Sequence, residues 1–301
     1  MKRRTALTTL HLLGAAALAG PLFSFSMQSI TKRKIGKTTE SIPCVGVGTW
    51  QTFDVGQNAA EREPLKEVLS KLVESGASVV DSSPMYGSSE KVVGDLSTEL
   101  KINDKLFVAT KVWTSGKEAG IEQMTTSMQL LKRKTIDLMQ VHNLVDWEIH
   151  LKTLEQWKEE GKIRYIGLTH YTDSAHERLR KIISTTRIDF IQVNYSLNSR
   201  NAERELLPAA KDLGVAVLIN RPFDEGALFR MTKGKTVPAW AKEFDCSTWG
   251  SFFLKFILAN PAVTCVIPGT SNPKHLADNL SAGMGKFPEA RHLKKMIEEI
   301  A

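Results

Sequence analysis

The sequence predicts a single α/β domain folded as a (β/α)8 TIM barrel. Eight short, nearly continuous apolar runs occur between residues 44 and 270, as expected of strands buried on both faces. Amphipathic helical patterns separate these runs, and about 250 residues is the usual size of such a barrel. The competing topology, a doubly wound open sheet, needs a glycine-rich phosphate turn after its first strand, and residues 46–50 lack that pattern.

The predicted strands follow one another at regular intervals along the chain. They span residues 44–50, 78–83, 106–112, 137–143, 163–169, 190–196, 214–222 and 264–270. Residues 29–43 are expected to form a short hairpin before the first strand. No linker and no repeat of fixed period follows residue 44, so one domain accounts for this whole region.

Helical patterns lie between the strands. One apolar stripe has the i, i+3, i+4, i+7, i+8 spacing of a helix that packs on a core, and Gly76 ends it. That stripe consists of Leu65, Val68, Leu69, Leu72 and Val73. Further helices are predicted over 148–160, over the aromatic-rich segment 246–259, after Ser88, and in the tail after residue 287.

Residues 1–26 have the layout of an export signal, with a basic start, an apolar stretch and small residues near Ala17 and Ala19. Arg3 and Arg4 before a weakly hydrophobic segment resemble a twin-arginine signal, which carries folded proteins across a bacterial membrane. The sequence therefore predicts a precursor that meets export machinery and a periplasmic protein of residues 27–301. An ordinary secretory signal or an uncleaved membrane anchor is the alternative.

Charge and cysteine content exclude several kinds of site. The chain of 301 residues has a formal net charge of +7, and its first four residues supply three of the positive charges. No dense Lys/Arg stripe with interleaved aromatic residues is present, which argues against a nucleic-acid partner. Cys44, Cys246 and Cys265 have no CxxC spacing and indicate neither a metal site nor a disulfide framework.

Chemically active residues cluster at the predicted strand ends, where barrel enzymes place their active sites. Asp81, Lys111 and His142 end the second, third and fourth strands, and Tyr86 follows the second strand after a short loop. An ammonium beside a phenol lowers the phenol's pKa, and a carboxylate keeps that ammonium charged. A histidine can orient a carbonyl oxygen, so the set is suited to protonating an oxygen. No nucleophile is present, and a nicotinamide cofactor that donates hydride would complete the chemistry.

The chain resembles the aldo-keto reductases over residues 30–290. The matching stretches are VVDSSPMYGSSEKVVG, VATKVW, IDLMQVHN, EGKIRYIGLT, FIQVNYS and VIPGTSNPKHLADNL. The resemblance places the family's catalytic tetrad on Asp81, Tyr86, Lys111 and His142. Each of these positions has the residue type that the family requires.

The resemblance also implies contacts to the nicotinamide cofactor. Gln192 matches a glutamine that binds the nicotinamide amide, and Thr169-His170 stands where Ser-Asn is usual. Asn220 stands where an aromatic residue usually stacks on the ring, and either Arg221 or Phe223 could supply a face instead, or Arg221 could pair with the pyrophosphate. The remaining expected contacts are Thr49 and Trp50 at the first strand and Gly269, Thr270, His275, Asp278 and Asn279 near the last one.

These residues together predict an enzyme that reduces an aldehyde or ketone with NAD(P)H. The resemblance matches Thr270, Asp278 and Asn279 to the loop that holds the 2′-phosphate, and NADP(H) is favoured over NAD(H) because Thr270 and His275 could hold that phosphate; no metal is expected. Apolar walls are expected from Trp50, Phe53, Trp113 and Trp147. The alternative is a nicotinamide-binding redox-sensing or regulatory subunit with little turnover, which the departures at His170 and Asn220 leave open.

Overall fold

A computed structural model describes residues 29–300, and these residues form the predicted barrel. Eight parallel strands form one sheet in chain order, and parallel bridges from Val45 to Val266 and from Gly48 to Gly269 join its first and last strands. The eight strands are β3 (Val47–Gly48), β4 (Val79–Asp81), β5 (Phe107–Val112), β6 (Ile136–His142), β7 (Ile163–Thr169), β8 (Phe190–Asn194), β9 (Ala216–Asn220) and β10 (Cys265–Val266). Each overlaps its predicted range, so the predicted fold is confirmed.

Helices follow the strands and cover the outside of the barrel. They are α1 (Ala59–Glu74), α2 (Ser89–Glu99), α3 (Lys117–Leu130), α4 (Trp147–Glu159), α5 (His176–Thr185), α6 (Leu206–Leu213), α7 (Ala227–Met231), α8 (Trp249–Ala259), α9 (Pro273–Ser281) and α10 (Ala290–Glu298). Local signals set their ends: the Asn58 side chain caps α1, the Thr248 side chain caps α8, and Gly76 follows α1 with a φ of +78°.

The predicted hairpin closes the amino-terminal end of the barrel. Its strands, β1 (Lys32–Lys34) and β2 (Ser41–Pro43), pair antiparallel. Ile35 and Ile42 pack into one buried cluster with inward-facing residues of the barrel, among them Phe107. Because this end is filled with side chains, the carboxyl ends of the strands are left to form a site.

The predicted export signal at residues 1–26 lies outside the residues that the structure describes. Between residues 29 and 300, none of the helices has the length and apolar character needed to cross a membrane.

Candidate active site

The ends of β4 and β5 hold a buried ion pair. The Lys111 ammonium donates to Asp81 Oδ2 at 2.7 Å and to the Ser82 carbonyl at 2.6 Å. The Lys111 side chain is fully buried and Asp81 nearly so. A buried charge of this kind needs a close partner, because its desolvation is otherwise costly. The adjacent, parallel pairing of β4 and β5 supplies that partner.

Tyr86 and His142 lie beside this pair, so the structure brings all four predicted catalytic residues together. The Lys111 Nζ lies 4.9 Å from the centroid of the Tyr86 ring. The His142 ring meets the Tyr86 ring edge-on with 6.0 Å between their centroids. His142 ends β6 and is buried, whereas Tyr86 is half-buried at the wall of a cleft.

The turn that carries Tyr86 is fixed by Asp54 from the loop after β3. Asp54 Oδ1 accepts hydrogen bonds from the Ser88 amide at 2.8 Å and from the Ser88 hydroxyl at 2.9 Å. Gly87, which lies between Tyr86 and Ser88 in the chain, has a φ of +57°. A Cβ at this position would lie 2.3 Å from the Asp54 carboxylate oxygens. Glycine is therefore required at the position that follows the tyrosine.

The protonation states of these groups follow from burial and from their neighbours. Burial opposes the charge of Lys111, but Asp81 and Tyr86 outweigh it and raise the Lys111 pKa, which keeps the ammonium charged. For Tyr86, burial raises the pKa and the Lys111 charge opposes the rise, leaving a net increase. The sequence argument had the lysine lowering the phenol's pKa, and in the structure burial outweighs that effect. The phenol is therefore protonated at neutral pH.

His142 is a neutral imidazole. Burial, and then the charge of Lys111 and the nearby His170, lower the pKa of His142 to about 2. Its Nδ1 lies 3.1 Å from the Ser83 hydroxyl, which also accepts a hydrogen bond from the Met85 amide. Ser83 thereby holds the imidazole from the side of the β4 loop.

Two glutamines donate hydrogen bonds to the Asp81 oxygen that does not contact Lys111. Gln192 Nε2 donates to Asp81 Oδ1 at 2.7 Å, and Gln140 Nε2 donates to the same oxygen at 3.2 Å. Gln192 was expected at the nicotinamide; it lines the cleft, and its amide nitrogen donates to Asp81. Gln140 was missed, although its position two residues before His142 puts both on the same face of β6.

A cleft of about 780 Å³ opens at this end of the barrel. It is lined by three of the four predicted catalytic residues, Asp81, Tyr86 and His142, and by many of the residues expected at the cofactor. The latter are Thr49, Trp50, Thr169, Gln192, Asn220, Arg221, Phe223 and Gly269.

Unsatisfied polar atoms in the cleft wall fit a bound nicotinamide nucleotide. Within residues 29–300, the buried atoms that lack a hydrogen-bond partner include Asn143 Oδ1, Asn220 Oδ1 and Arg221 Nε, and all three residues line the cleft. Such atoms usually have partners in folded proteins. Two amide oxygens can accept from a carboxamide, and a guanidinium N–H can donate to a phosphate.

His170 does not line this cleft. Its Nδ1 accepts a hydrogen bond from the Tyr171 amide at 3.0 Å, and its ring stacks on Tyr171. Its carbonyl oxygen accepts from Asn220 Nδ2 at 3.2 Å. His170 therefore fixes the loop after β7 and the side chain of Asn220. Phe223, which was expected as an alternative stacking partner of the nicotinamide ring, packs against Phe229 with 4.9 Å between the ring centroids.

The residues expected at a 2′-phosphate lie outside the lining of the cleft, with Thr270 and His275 near the start of α9 and Asp278 and Asn279 towards its end. Thr270 Oγ1 accepts from the Asn272 amide at 3.1 Å, and His275 is exposed. Asp278 accepts a hydrogen bond from the Thr248 hydroxyl at 2.6 Å and so ties α9 to the cap of α8. Asn279 is buried beside it.

Two of the expected apolar walls are present. Trp50 and Trp113 line the cleft and are 46% and 42% exposed. The prediction for Phe53 is wrong: its amide donates to the Thr49 carbonyl at 3.1 Å, so the chain turns back and the ring is fully buried in the core. Trp147, the first residue of α4, packs against the core and does not line the cleft.

Metal chemistry has no obvious site in the part of the chain described. Residues 29–300 contain no group of three or more His, Cys, Asp or Glu side chains that could hold a metal ion.

Comparison with known proteins gives one consistent result. The sequence model of the aldo/keto reductase family matches residues 44–296. The methylglyoxal reductase YeaE of Escherichia coli is 27% identical over 247 residues, which cover 79% of this chain and 84% of the relative. The NADH-specific methylglyoxal reductase of the same organism is 27% identical over an alignment of 314 residues. This alignment covers 83% of this chain and 93% of that relative.

The fold is also shared with solved structures. An aldo-keto reductase from Klebsiella pneumoniae in complex with NADPH superposes with a TM-score of 0.73 at 23% identity, covering 89% of this chain and 94% of that one.

Proposed function

Because the chain belongs to the aldo/keto reductase family and is an oxidoreductase, we propose that it reduces an aldehyde or ketone with NAD(P)H and that Tyr86 donates the proton. One observation carries this proposal. Tyr86 lies at the wall of the cleft directly against the charged Lys111, which is held by the buried Asp81. A proton donor next to a fixed positive charge is what carbonyl reduction needs, because negative charge develops on the oxygen.

When bound in the cleft, a reduced nicotinamide supplies the hydride. The Tyr86 hydroxyl gives its proton to the carbonyl oxygen, and the Lys111 ammonium stabilises the phenolate that remains. Asp81 keeps Lys111 charged and in place. His142 is neutral with Nδ1 3.1 Å from the Ser83 hydroxyl; in the tautomer in which that hydroxyl donates to Nδ1, the Nε2–H is free to donate to the carbonyl oxygen and orient the substrate.

Replacing Tyr86 by phenylalanine tests the role of the proton donor. Tyr86→Phe should lower kcat by about 10²–10⁴-fold, the usual contribution of a general acid, while NADPH binding measured by fluorescence quenching stays near wild type. Tyr171→Phe is the matched control, because Tyr171 also lines the cleft and is 47% exposed. Wild-type turnover by Tyr86→Phe with a good aldehyde substrate would contradict the proposal.

We also propose NADP(H) as the preferred cofactor. Thr270 and His275, near the start of α9, are the residues that would hold a 2′-phosphate. The NADH-specific relative shows that the family contains both preferences. Dissociation constants for NADPH and NADH at low salt decide between them, and tighter binding of NADH would overturn this choice.

A second candidate function rests on Asn220, which stands where the family usually has an aromatic ring. A weakly held nicotinamide would suit a redox-sensing subunit that turns over slowly. Steady-state NADPH oxidation with a panel of simple aldehydes separates the two functions, because the sensor would bind the cofactor but show little turnover with any of them.

A further inference from the structure

An ion pair lies in the wall of the cleft, directly after β9. Arg221 Nη2 lies 2.5 Å from Glu225 Oε1, and Arg221 Nη1 donates to the Tyr171 carbonyl at 3.0 Å. Both Arg221 and Glu225 line the cleft that holds the catalytic residues. A carboxylate in this place is unexpected, because it would repel an anionic ligand.

The backbone around this pair is strained. Arg221, Asp224 and Glu225 each have a φ of +50°, although none of them is glycine. Non-glycine residues rarely adopt this region, and such outliers cluster at ligand-binding and switch sites. The Asp224 amide donates to the Arg221 carbonyl at 3.0 Å, which closes a tight turn and carries the Glu225 side chain back to the guanidinium.

The guanidinium is only partly satisfied by these contacts. Arg221 Nε is buried and has no partner among the described residues, so one donor of the fork stays available. The Glu225 side chain is 54% exposed, and an ion pair this open to water contributes little to stability. It can therefore be separated at low cost. A planar fork of N–H donors also binds phosphate groups in a bidentate manner.

We propose that Glu225 competes with the cofactor's pyrophosphate for Arg221. In the free protein Glu225 holds the guanidinium, and the pyrophosphate of a nicotinamide dinucleotide displaces it on binding. The pair thus sets the affinity and the release rate of the cofactor. This inference rests on the proposed function, and it assigns Arg221 to the pyrophosphate rather than to the nicotinamide ring.

Binding measurements test the inference without relying on turnover. Glu225→Gln should tighten NADPH binding about three- to tenfold, because the competing charge is removed. Tryptophan fluorescence quenching gives the dissociation constant. ADP-ribose, which has the pyrophosphate but no nicotinamide, should gain equally. Glu177→Gln is the matched control, since Glu177 also forms an i,i+4 pair, with Lys181 on α5, and both side chains there are 68% exposed.

A double-mutant cycle isolates the pair. Arg221→Gln should weaken binding, and adding Glu225→Gln to that variant should tighten it much less than Glu225→Gln does in the wild type, because only the repulsion by the carboxylate is then removed. Arg221→Lys, which keeps the charge but loses the fork, should also weaken binding and serves if Arg221→Gln does not fold.

Three results would overturn the inference while leaving the proposed function intact. These are normal NADPH binding by the wild type with no gain in Glu225→Gln, a gain of the same size without Arg221, and a gain for NADPH that ADP-ribose does not share. A wild-type protein that binds no dinucleotide would overturn both proposals.

Discussion

His142 links the chemistry of the site to the pH dependence of stability. Its pKa is lowered from 6.5 to about 2 in the folded protein, so it stays neutral there while the unfolded chain binds a proton below pH 6.5. The free energy of unfolding should therefore fall with decreasing pH below 6.5, by about 1.4 kcal/mol per unit from this residue, and be independent of it above.

Removing the imidazole should flatten this slope. Urea unfolding of wild type and His142→Gln at pH 5, 6 and 7.5 measures it, with the pH 7.5 value as the reference for each protein. The difference in stability between wild type and variant should shrink towards pH 5. A constant difference at all three pH values would mean that His142 is protonated alike in both states.

Single residues differ in how well the sequence predicts them. The grouping of Asp81, Tyr86, Lys111 and His142 was predictable because each ends or directly follows an apolar strand, and the strand ends of a barrel meet at one mouth. Gln140 and Glu225 were not, since their roles depend on which side chains the fold brings to Asp81 and Arg221. Phe53 was predicted wrongly because a turn, which has no clear sequence signature here, directs it into the core.

At the scale of elements, the contact between α2 and α3 depends on Gly94. A Cβ at Gly94 would lie 2.0 Å from the Leu130 carbonyl oxygen, which belongs to the backbone and cannot rotate away. Alanine normally stabilises a helix relative to glycine by about 1 kcal/mol. The sign of the change in unfolding free energy on Gly94→Ala therefore shows whether helix propensity or the steric clash is larger.

We expect the steric clash with Leu130 to outweigh the gain in helix propensity. Gly94→Ala should lower the free energy of unfolding by about 1–3 kcal/mol, as overpacked sites usually do. Because α2 begins three residues after Tyr86, kcat should fall as well. Urea unfolding measures the first effect. Gly56→Ala is the control, since nothing lies within 4 Å of a Cβ at Gly56. Equal or greater stability of Gly94→Ala would show that the two helices can move apart freely.

Elements buried on both faces were the easiest to predict. The strand at Ile163–Thr169 has the bounds that its apolar run indicates. The first and last strands are shorter than their runs, because the sheet closes there through isolated bridges instead of a long ladder. The conformation of the turn after β9 could not be predicted, because Arg221, Asp224 and Glu225 adopt a positive φ although none of them is glycine.

At the scale of the whole molecule, the two ends of the barrel have different roles. One end is packed with side chains and contributes to stability, and the other is open and contains the candidate site. The hairpin and its buried cluster close one end, and the cleft lined by Asp81, Tyr86 and His142 occupies the other. A cofactor bound across that cleft would contact loops that are far apart in sequence. Binding should therefore stabilise the folded protein against unfolding, and the stabilisation should grow with the logarithm of the cofactor concentration once that concentration exceeds Kd.

This linkage connects the cofactor with the proposed export. A nicotinamide nucleotide is supplied in the cytoplasm, so an exported reductase is best loaded and folded before it crosses the membrane. We propose that Arg3 and Arg4 direct the precursor to the twin-arginine route, which carries folded proteins. We expect Arg3→Lys combined with Arg4→Lys, which keeps the charge, to leave the precursor in the cytoplasm.

Cell fractionation of a bacterial host measures that distribution, and Lys2→Gln is the control because it lowers the charge without altering the arginine pair. The exported wild-type protein should also retain bound NADP(H), detectable by its absorbance after release with acid or base. Normal export of the double variant would refute the twin-arginine route. Exported protein free of nucleotide would refute loading before export, even if the route itself were correct.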